Sequence, residues 1–451
     1  MMESRYYLRT LGTVTSLLML IALLGCQKKT PVKQVSIEQS SVSFSEKNLS
    51  HLKSEWPGWR GPDQSGVAGE ADTPTHWSET ENVKWRVDVP GRGNASPVIV
   101  NNRIYLATAD DSAQKQKIVA FDITDGSQLW STTVNEGGFP SSGQMHPKST
   151  HANGTVLCDG TRVITASLHH EKITAYALNV ETGKIIWTQE LGAFNSKFGY
   201  APSPVLYNSF VIFACDNHGG GYLCALDTES GELAWRVERP LASTYSSPRI
   251  ANVGGKDQLL ISGGEKIISY DPRTGKENWQ TPGTADATCG TVVVAKDLII
   301  ASGGYPQSQT IALDSAGQKQ WEVKTKLYEP SLITVGDTLF GITDKGIAYC
   351  WDVTTGAEQW KERLGGNFSA SPVAVGDTIY VSNLEGQTFV FKANPSSFQQ
   401  ISVNRLGTDC YASPAVYDGN IYLRIGTGNG QSRQEELVCL SRQPSGNSSQ
   451  N

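Results

Sequence analysis

The chain has no Cys-x-x-Cys pair and no two adjacent cysteines among its eight, so a structural zinc site has no support. It has no cluster of like charge. The 38 Lys and Arg are scattered among 44 Asp and Glu, for a formal net charge of −6, which removes the basic footprint that a nucleic-acid surface needs. Beyond residue 24 no run is long and apolar enough to cross a bilayer as a helix. No Ser, His and Asp fall into a nucleophile spacing, no glycine-rich loop follows a strand and opens a helix, and no paired carboxylates dominate a loop. Motifs therefore name no catalytic residue and no metal-ligand set. What the chain does have is glycine, 45 residues of it, with 20 prolines and 38% apolar residues, which suits many short strands joined by tight turns around an ample core.

The first 26 residues differ in kind. Arg5 and Arg9 precede an apolar run, Val14 to Leu24, too short to span a membrane stably, and the run ends in Leu23-Leu24-Gly25-Cys26. This is a secretory leader whose end resembles the bacterial lipobox. The resemblance implies that Cys26 is diacylated and becomes the mature N-terminus, and Gln27 after it resembles the pattern sorted to the outer membrane. Residues 27–55 are polar with little hydrophobic periodicity, and they read as a flexible tether. Residues 56–81 form an N-terminal lead-in, and 441–451 read as a disordered tail.

Everything between is built on one unit. Ala120-Phe-Asp122-Ile-Thr-Asp-Gly126-Ser-Gln-Leu-Trp130 recurs as Ala177 to Trp187, Ala225 to Trp235, Ser269 to Trp279 and Cys350 to Trp360. A sixth copy, Ala312 to Trp321, is one residue shorter in its turn. Successive tryptophans stand 57, 48, 44, 42 and 39 residues apart, and a period near 40 means a propeller or a solenoid. Units open on Ser-Pro, at Ser96, Ser203, Ser247, Ser371 and Ser413, and continue through strand pairs around Asn, Asp and Gly turns. The Asp caps the turn, the Gly supplies a positive φ, and the Trp has the area to dock one unit on the next. Four strands per unit predict an all-β, eight-bladed propeller over 82–440. Its docking tryptophans are Trp85, Trp130, Trp187, Trp235, Trp279, Trp321 and Trp360. The seventh blade, around Phe389 to Lys392 and Phe398 to Ile401, has lost both Gly and Trp. The eighth stops after three strands near Leu440, and the strand around Trp85 is available to complete it and close the ring.

The Ala-x-Asp-x-x-x-Gly-x-x-x-Trp unit resembles the repeat of quinoprotein dehydrogenases and of their non-enzymatic relatives, the BamB-like outer-membrane assembly lipoproteins. The lead-in Trp56-Pro-Gly-Trp59-Arg60-Gly61-Pro62 is similar to planctomycete-type members of this group. For the enzymes the resemblance implies pyrroloquinoline quinone (PQQ), adjacent cysteines beside it, a calcium site and long insertions. This chain has no Cys-Cys pair, and its aspartates at 122, 227, 271, 314 and 352 repeat blade by blade as turn formers. The expectation is a non-catalytic envelope lipoprotein on the periplasmic side of the outer membrane, serving as an assembly scaffold for an envelope protein partner. It has no resident cofactor and no nucleic-acid role. A PQQ-dependent periplasmic oxidoreductase and a carbohydrate-binding propeller are the alternatives.

Function should lie where the repeat is interrupted, above all at 137–153, where His146, Lys148, His151 and Asn153 are the candidate ligand contacts. His169-His170 and Asp216-Asn-His218 lie in the following hairpin turns, on a face that sequence alone does not assign. Trp56 and Trp59 read as a plug across the outer side of the propeller. Cys215 and Cys224 flank a hairpin loop and could pair diagonally as a disulfide in an oxidising compartment, while most of the cysteines read as buried small hydrophobes. Replacing Cys26 with Ser should release the protein from the membrane pellet into the soluble periplasmic fraction; unchanged retention on fractionation would refute the anchor.

Overall fold

The computed structural model describes residues 32–442; the leader with Cys26, the first part of the expected tether and nearly all of the expected tail lie outside them. Eight antiparallel sheets stand in a ring as propeller blades. Blade 1 shows the plan: Val98–Val100 lies innermost, and Arg103–Asp110, Lys115–Asp122 and Gln128–Glu136 follow outward, each paired with the one before. The other inner strands are Leu157–Cys158, Val205–Tyr207, Arg249–Val253, Val293–Ala295, Ile333–Val335, Val373–Val375 and Ala415–Tyr417. Second strands such as Phe210–Cys215 are buried at every residue, because neighbouring blades cover both faces of each sheet.

One contact repeats around the ring. The indole Nε1 of Trp85 donates to Ile123 O at 3.1 Å, Trp130 to Val180 O at 3.0 Å, Trp187 to Thr228 O at 3.1 Å and Trp235 to Pro272 O at 3.3 Å. Trp279 donates to Ser315 O at 3.0 Å, Trp321 to Val353 O at 3.0 Å and Trp360 to Asn394 O at 2.8 Å. In the first six the acceptor follows the Asp or Asn that opens the next blade's turn. The ring then lies over that turn's glycine: a Cβ on Gly183, at φ 66°, would sit 2.6 Å from the Trp130 ring. The Asp holds the turn in shape, with Thr124 N on Asp122 Oδ1 at 2.7 Å and Gly126 N on Asp122 O at 2.9 Å. The shortened sixth copy closes one residue tighter, through Gly317 N on Asp314 O at 3.0 Å. A β-bulge precedes each tryptophan, as where Ala120 faces Trp130 but Phe121 faces Gln128, and the bulge aims the indole at its neighbour.

Blade 8 is completed from the other end of the chain. Val83–Val89 pairs antiparallel with Gln434–Leu440, from Val83 opposite Leu440 to Val89 opposite Glu435. In blade 7 the outer strand is Gln400–Arg405, and Ser402 stands opposite Val390 where other blades place tryptophan. The missing indole comes from the lead-in. Trp77, 5% exposed, stacks on Tyr380 at 6.4 Å and 16°. Tyr380 matches Tyr105, Phe340 and Tyr422, the residues packed by Trp130, Trp360 and Trp85. Asn404 Oδ1 takes Trp77 N at 3.0 Å and its amide donates to Thr75 O at 3.0 Å, fixing this segment along the blade.

The tether expected over 27–55 is corrected for its described part. Residues from 32 on form a strap along blade 3: Val35 bridges Arg236, Ser40 Oγ donates to Leu233 O at 2.7 Å, and Phe44 stacks on Tyr207 at 5.6 Å. Leu52 is buried at 4% exposure. The apolar residues are too sparse to show a period, yet each finds a site, and the strap covers an outer strand edge that would otherwise be open to pairing. Trp77→Ala should therefore cost about 3–5 kcal/mol, as large a loss as Trp235→Ala, read from denaturant unfolding. A cost below about 0.5 kcal/mol, as for a surface residue, would show that blade 7 does not depend on it.

Candidate functional site

The Ser-Pro openings have a shared role that depends on the register between blades. The backbone N–H of each such position donates to the hydroxyl of the next. Ser96 bonds Thr155, Thr155 bonds Ser203, Ser203 bonds Ser247, Thr291 bonds Ser331, Ser331 bonds Ser371, Ser371 bonds Ser413, and Ser413 returns to Ser96, at 2.8–3.0 Å. At the remaining position Thr291 Oγ1 accepts instead from the indole of Trp59, at 2.9 Å. Eight hydroxyls thus circle the bore, one per blade. The proline after five of them suits a residue at the start of a strand, where a ladder donor is not required.

Trp59 belongs to a segment that passes through the bore itself, which corrects the expected outer-side plug. Trp56 pairs with Ile99 of blade 1, and Pro57 O accepts Cys158 N of blade 2 at 2.7 Å. Arg60 Nη2 donates to Leu332 O of blade 6 at 2.7 Å, and Gln64 Nε2 to Pro248 O of blade 4 at 3.1 Å. Val67–Ala68 then adds a parallel strand inside Val373–Val375 of blade 7. Trp56 packs so closely on Gly61, at φ 81°, that a Cβ there would lie 2.9 Å from the indole. Burial, with the charge of Arg249 second, pushes the Arg60 pKa down to about 9.

The plug divides the bore. On the side of the tight turns a cleft of about 680 Å³ lies under the strap. On the other side a funnel of about 210 Å³ opens among the loops that join each outer strand to the next inner one. Trp59 lines both, so its indole is the partition. All eight joining loops contribute to the funnel, among them Asn94, Phe198, Tyr245, Cys289, Tyr328, Glu329 and Tyr411. Lys148 Nζ meets both Glu329 oxygens at 2.8 and 3.0 Å, and Ser369 Oγ also donates to Glu329. Glu329 N and Tyr328 N both bond Asp344 Oδ1, at 3.0 and 3.2 Å, and burial raises the pKa of that carboxyl. Burial likewise raises the Cys289 thiol, so it stays protonated and weakly nucleophilic.

Of the four candidate contacts at 137–153, the structure brings three to the funnel. His146, Lys148 and Asn153 line it; His151 does not. The turn from Thr150 to Asn153 directs His151 to the far side, where it stacks on Phe139 at 4.1 Å and lies 4.0 Å from Asp111. Burial lowers its pKa, with the Asp111 charge opposing. Asn153 is spent on the loop: its Oδ1 takes Thr150 N at 2.9 Å and its amide bonds Ser149 Oγ at 2.7 Å and Tyr200 O at 3.1 Å. His146 Nδ1 accepts Lys148 N at 3.2 Å, with its ring edge-on to Phe198. The hairpin turns share this face but stand outside the funnel wall. His170 N bonds Gly138 O at 2.7 Å, His169 bonds Thr174 and Tyr176 at 3.1 Å, and Asp216 is held by Arg239 at 2.8 Å. Cys215 lies opposite Tyr222 and Cys224 opposite Phe213, the diagonal the sequence suggested, and both are buried free thiols, so the disulfide left open by the sequence is not formed in this structure. Among the described residues no three His, Cys, Asp or Glu side chains gather in a metal-holding group. Sequence reading missed Trp59 as the floor and Glu329, which has no local motif; the Ser-Pro recurrence was the one signal for the hydroxyl ring.

The fold is shared with proteins of both expected kinds. The chain is 23% identical over 356 residues to the outer membrane protein assembly factor BamB of Bordetella pertussis, covering 74% of this chain and 81% of that protein. It is 25% identical over 258 residues to the quinoprotein alcohol dehydrogenase PedH of Pseudomonas putida, covering 53% of this chain but 39% of the enzyme. A europium-containing methanol dehydrogenase superimposes with a TM-score of 0.66 at 11% identity, over 87% of this chain and 99% of that one, a likeness of fold alone. The family profile described as outer membrane protein assembly factor BamB matches residues 63–147 and 114–362, which takes in the end of the plug segment and blades 1 to 6, and the chain belongs to that family.

Proposed function

We propose that this chain is a non-catalytic scaffold of the bacterial cell envelope, anchored through Cys26 to the outer membrane and facing the periplasm. There it binds a protein partner of the outer-membrane assembly machinery on the face formed by the eight joining loops. The observation that carries this reading is one of extent. In sequence, the match to the Bordetella assembly factor runs through 81% of that protein, whereas the match to the quinoprotein dehydrogenase PedH runs through 39% of it, although the fold alone superimposes on a methanol dehydrogenase over 99% of that chain. A propeller suits the task, since it presents one loop from each blade on a single rigid rim.

The quinone cofactor of the dehydrogenase relatives can be tested against the funnel's donors. PQQ is a planar tricarboxylate, and holding it needs uncompensated cations. The lysine in the funnel wall is already bidentate to Glu329, and that carboxylate faces the same space. The donor set does not fit a trianion, and no redox step is assigned to these residues.

Two measurements on the purified chain separate the readings. Affinity capture from a solubilised envelope extract should retrieve an outer-membrane assembly component. Incubation with PQQ and calcium should give neither tight binding nor alcohol-dependent dye reduction. Turnover in the second assay, with no assembly component in the first, would overturn the scaffold reading.

A further inference from the structure

The hydroxyl ring leaves something over. Each of its eight oxygens accepts one N–H, seven from backbone and one from Trp59, and none donates to a protein acceptor among the described residues. All eight residues are at most 5% exposed. A hydroxyl has one proton and two lone pairs, so an N–H has taken an acceptor site at every position and left the donor. Four of these residues, Ser203, Ser247, Ser371 and Ser413, line the funnel. The result is a rim of O–H donors around a flat indole floor, with Tyr and Phe rings above.

A ligand that answers this arrangement needs acceptor oxygens around its edge and an apolar face on its underside. It also needs no net charge, because Lys148 and Glu329 cancel in the wall. We propose that the funnel binds one neutral pyranose ring whose hydroxyls are equatorial. Equatorial oxygens project from the ring edge toward the serine hydroxyls, and the axial C–H groups of one face lie on Trp59. The sugar's own protons find the carboxylate of Glu329, which retains acceptor capacity beyond Lys148 and Ser369. The floor rules out an extended peptide threaded down the bore: Trp59 closes the funnel, and the plug fills the space behind it. A cavity of about 210 Å³ is smaller than the roughly 300–1,000 Å³ of drug-sized sites, and so suits a single ring. This proposal does not rest on the assembly-scaffold reading, since the loops' outer rim remains open to a protein.

Saturation-transfer NMR on the full chain tests it, with methyl glycosides of glucose configuration against their single axial epimers, each up to about 10 mM. The expected result is transfer concentrated on the axial protons of one face, binding at least about tenfold weaker for the axial epimers, and a comparable loss in Glu329→Gln. Trp59→Phe should keep the stack and Trp59→Leu abolish it; if the leucine variant unfolds, the epimer series on the unaltered protein decides. An oligosaccharide ending in the same unit distinguishes a polymer end from a free sugar, and binding of either supports the proposal. No transfer to any neutral pyranoside, equal transfer to all epimers, or displacement by an unstructured peptide mixture but not by sugar would overturn it.

Discussion

The structure depends on a single contact: an indole that spans the gap between two blades and gives its N–H to a backbone carbonyl, seven times around the ring, with its face on a glycine in six of them. The hydrogen bond fixes the angle between sheets, because it can form only when the neighbouring turn holds its carbonyl at about 3 Å. The glycine fixes the distance, because any side chain there would enter the ring. Burying so large a side chain is worth about 4–6 kcal/mol by area, an upper bound that assumes a fully extended unfolded chain. Orientation, spacing and adhesion therefore come from the same atoms, and eight repetitions of one angle make a closed ring.

This economy is why the architecture was legible. Asp122, Gly126 and Trp130 act on residues close in sequence or one period away, so their spacing recurs and betrays the fold. Closure was legible too, since a last blade lacking its outer strand and an early Trp85 lacking its turn answer each other. The parts that escaped reading act across the molecule. Trp77 reaches Tyr380, Arg60 reaches Leu332 and Lys148 reaches Glu329, over separations that leave no period. The polar strap looked unstructured because its anchors, Phe44 and Leu52, are single residues bound for different sites.

The loop at 137–153 divides the same way. Its presence was evident as a break in the repeat, and its place on the funnel follows from joining an outer strand to the next inner one. Which side chains face inward was not evident, because that is set by the small turn Asn153 ties with Thr150 and Ser149. His146 and Lys148 fall on one side of it and His151 on the other. The serine openings carried a visible motif with an invisible purpose: each hydroxyl matters only through the blade beside it.

The lead-in has a consequence in time as well as in space. In chain order the floor of the funnel, the indole of blade 7 and the outer strand of blade 8 are all made before the first complete blade, and their partners follow in blades 5, 7 and 8. The plug segment meets residues in or just before the inner strands of blades 1, 2, 4, 5, 6 and 7, so its seat exists only when nearly the whole ring does. Such a chain has no finished domain to release part-way along its synthesis. The molecule is assembled like an arch whose keystone is delivered first and must be held aside until the last stones arrive.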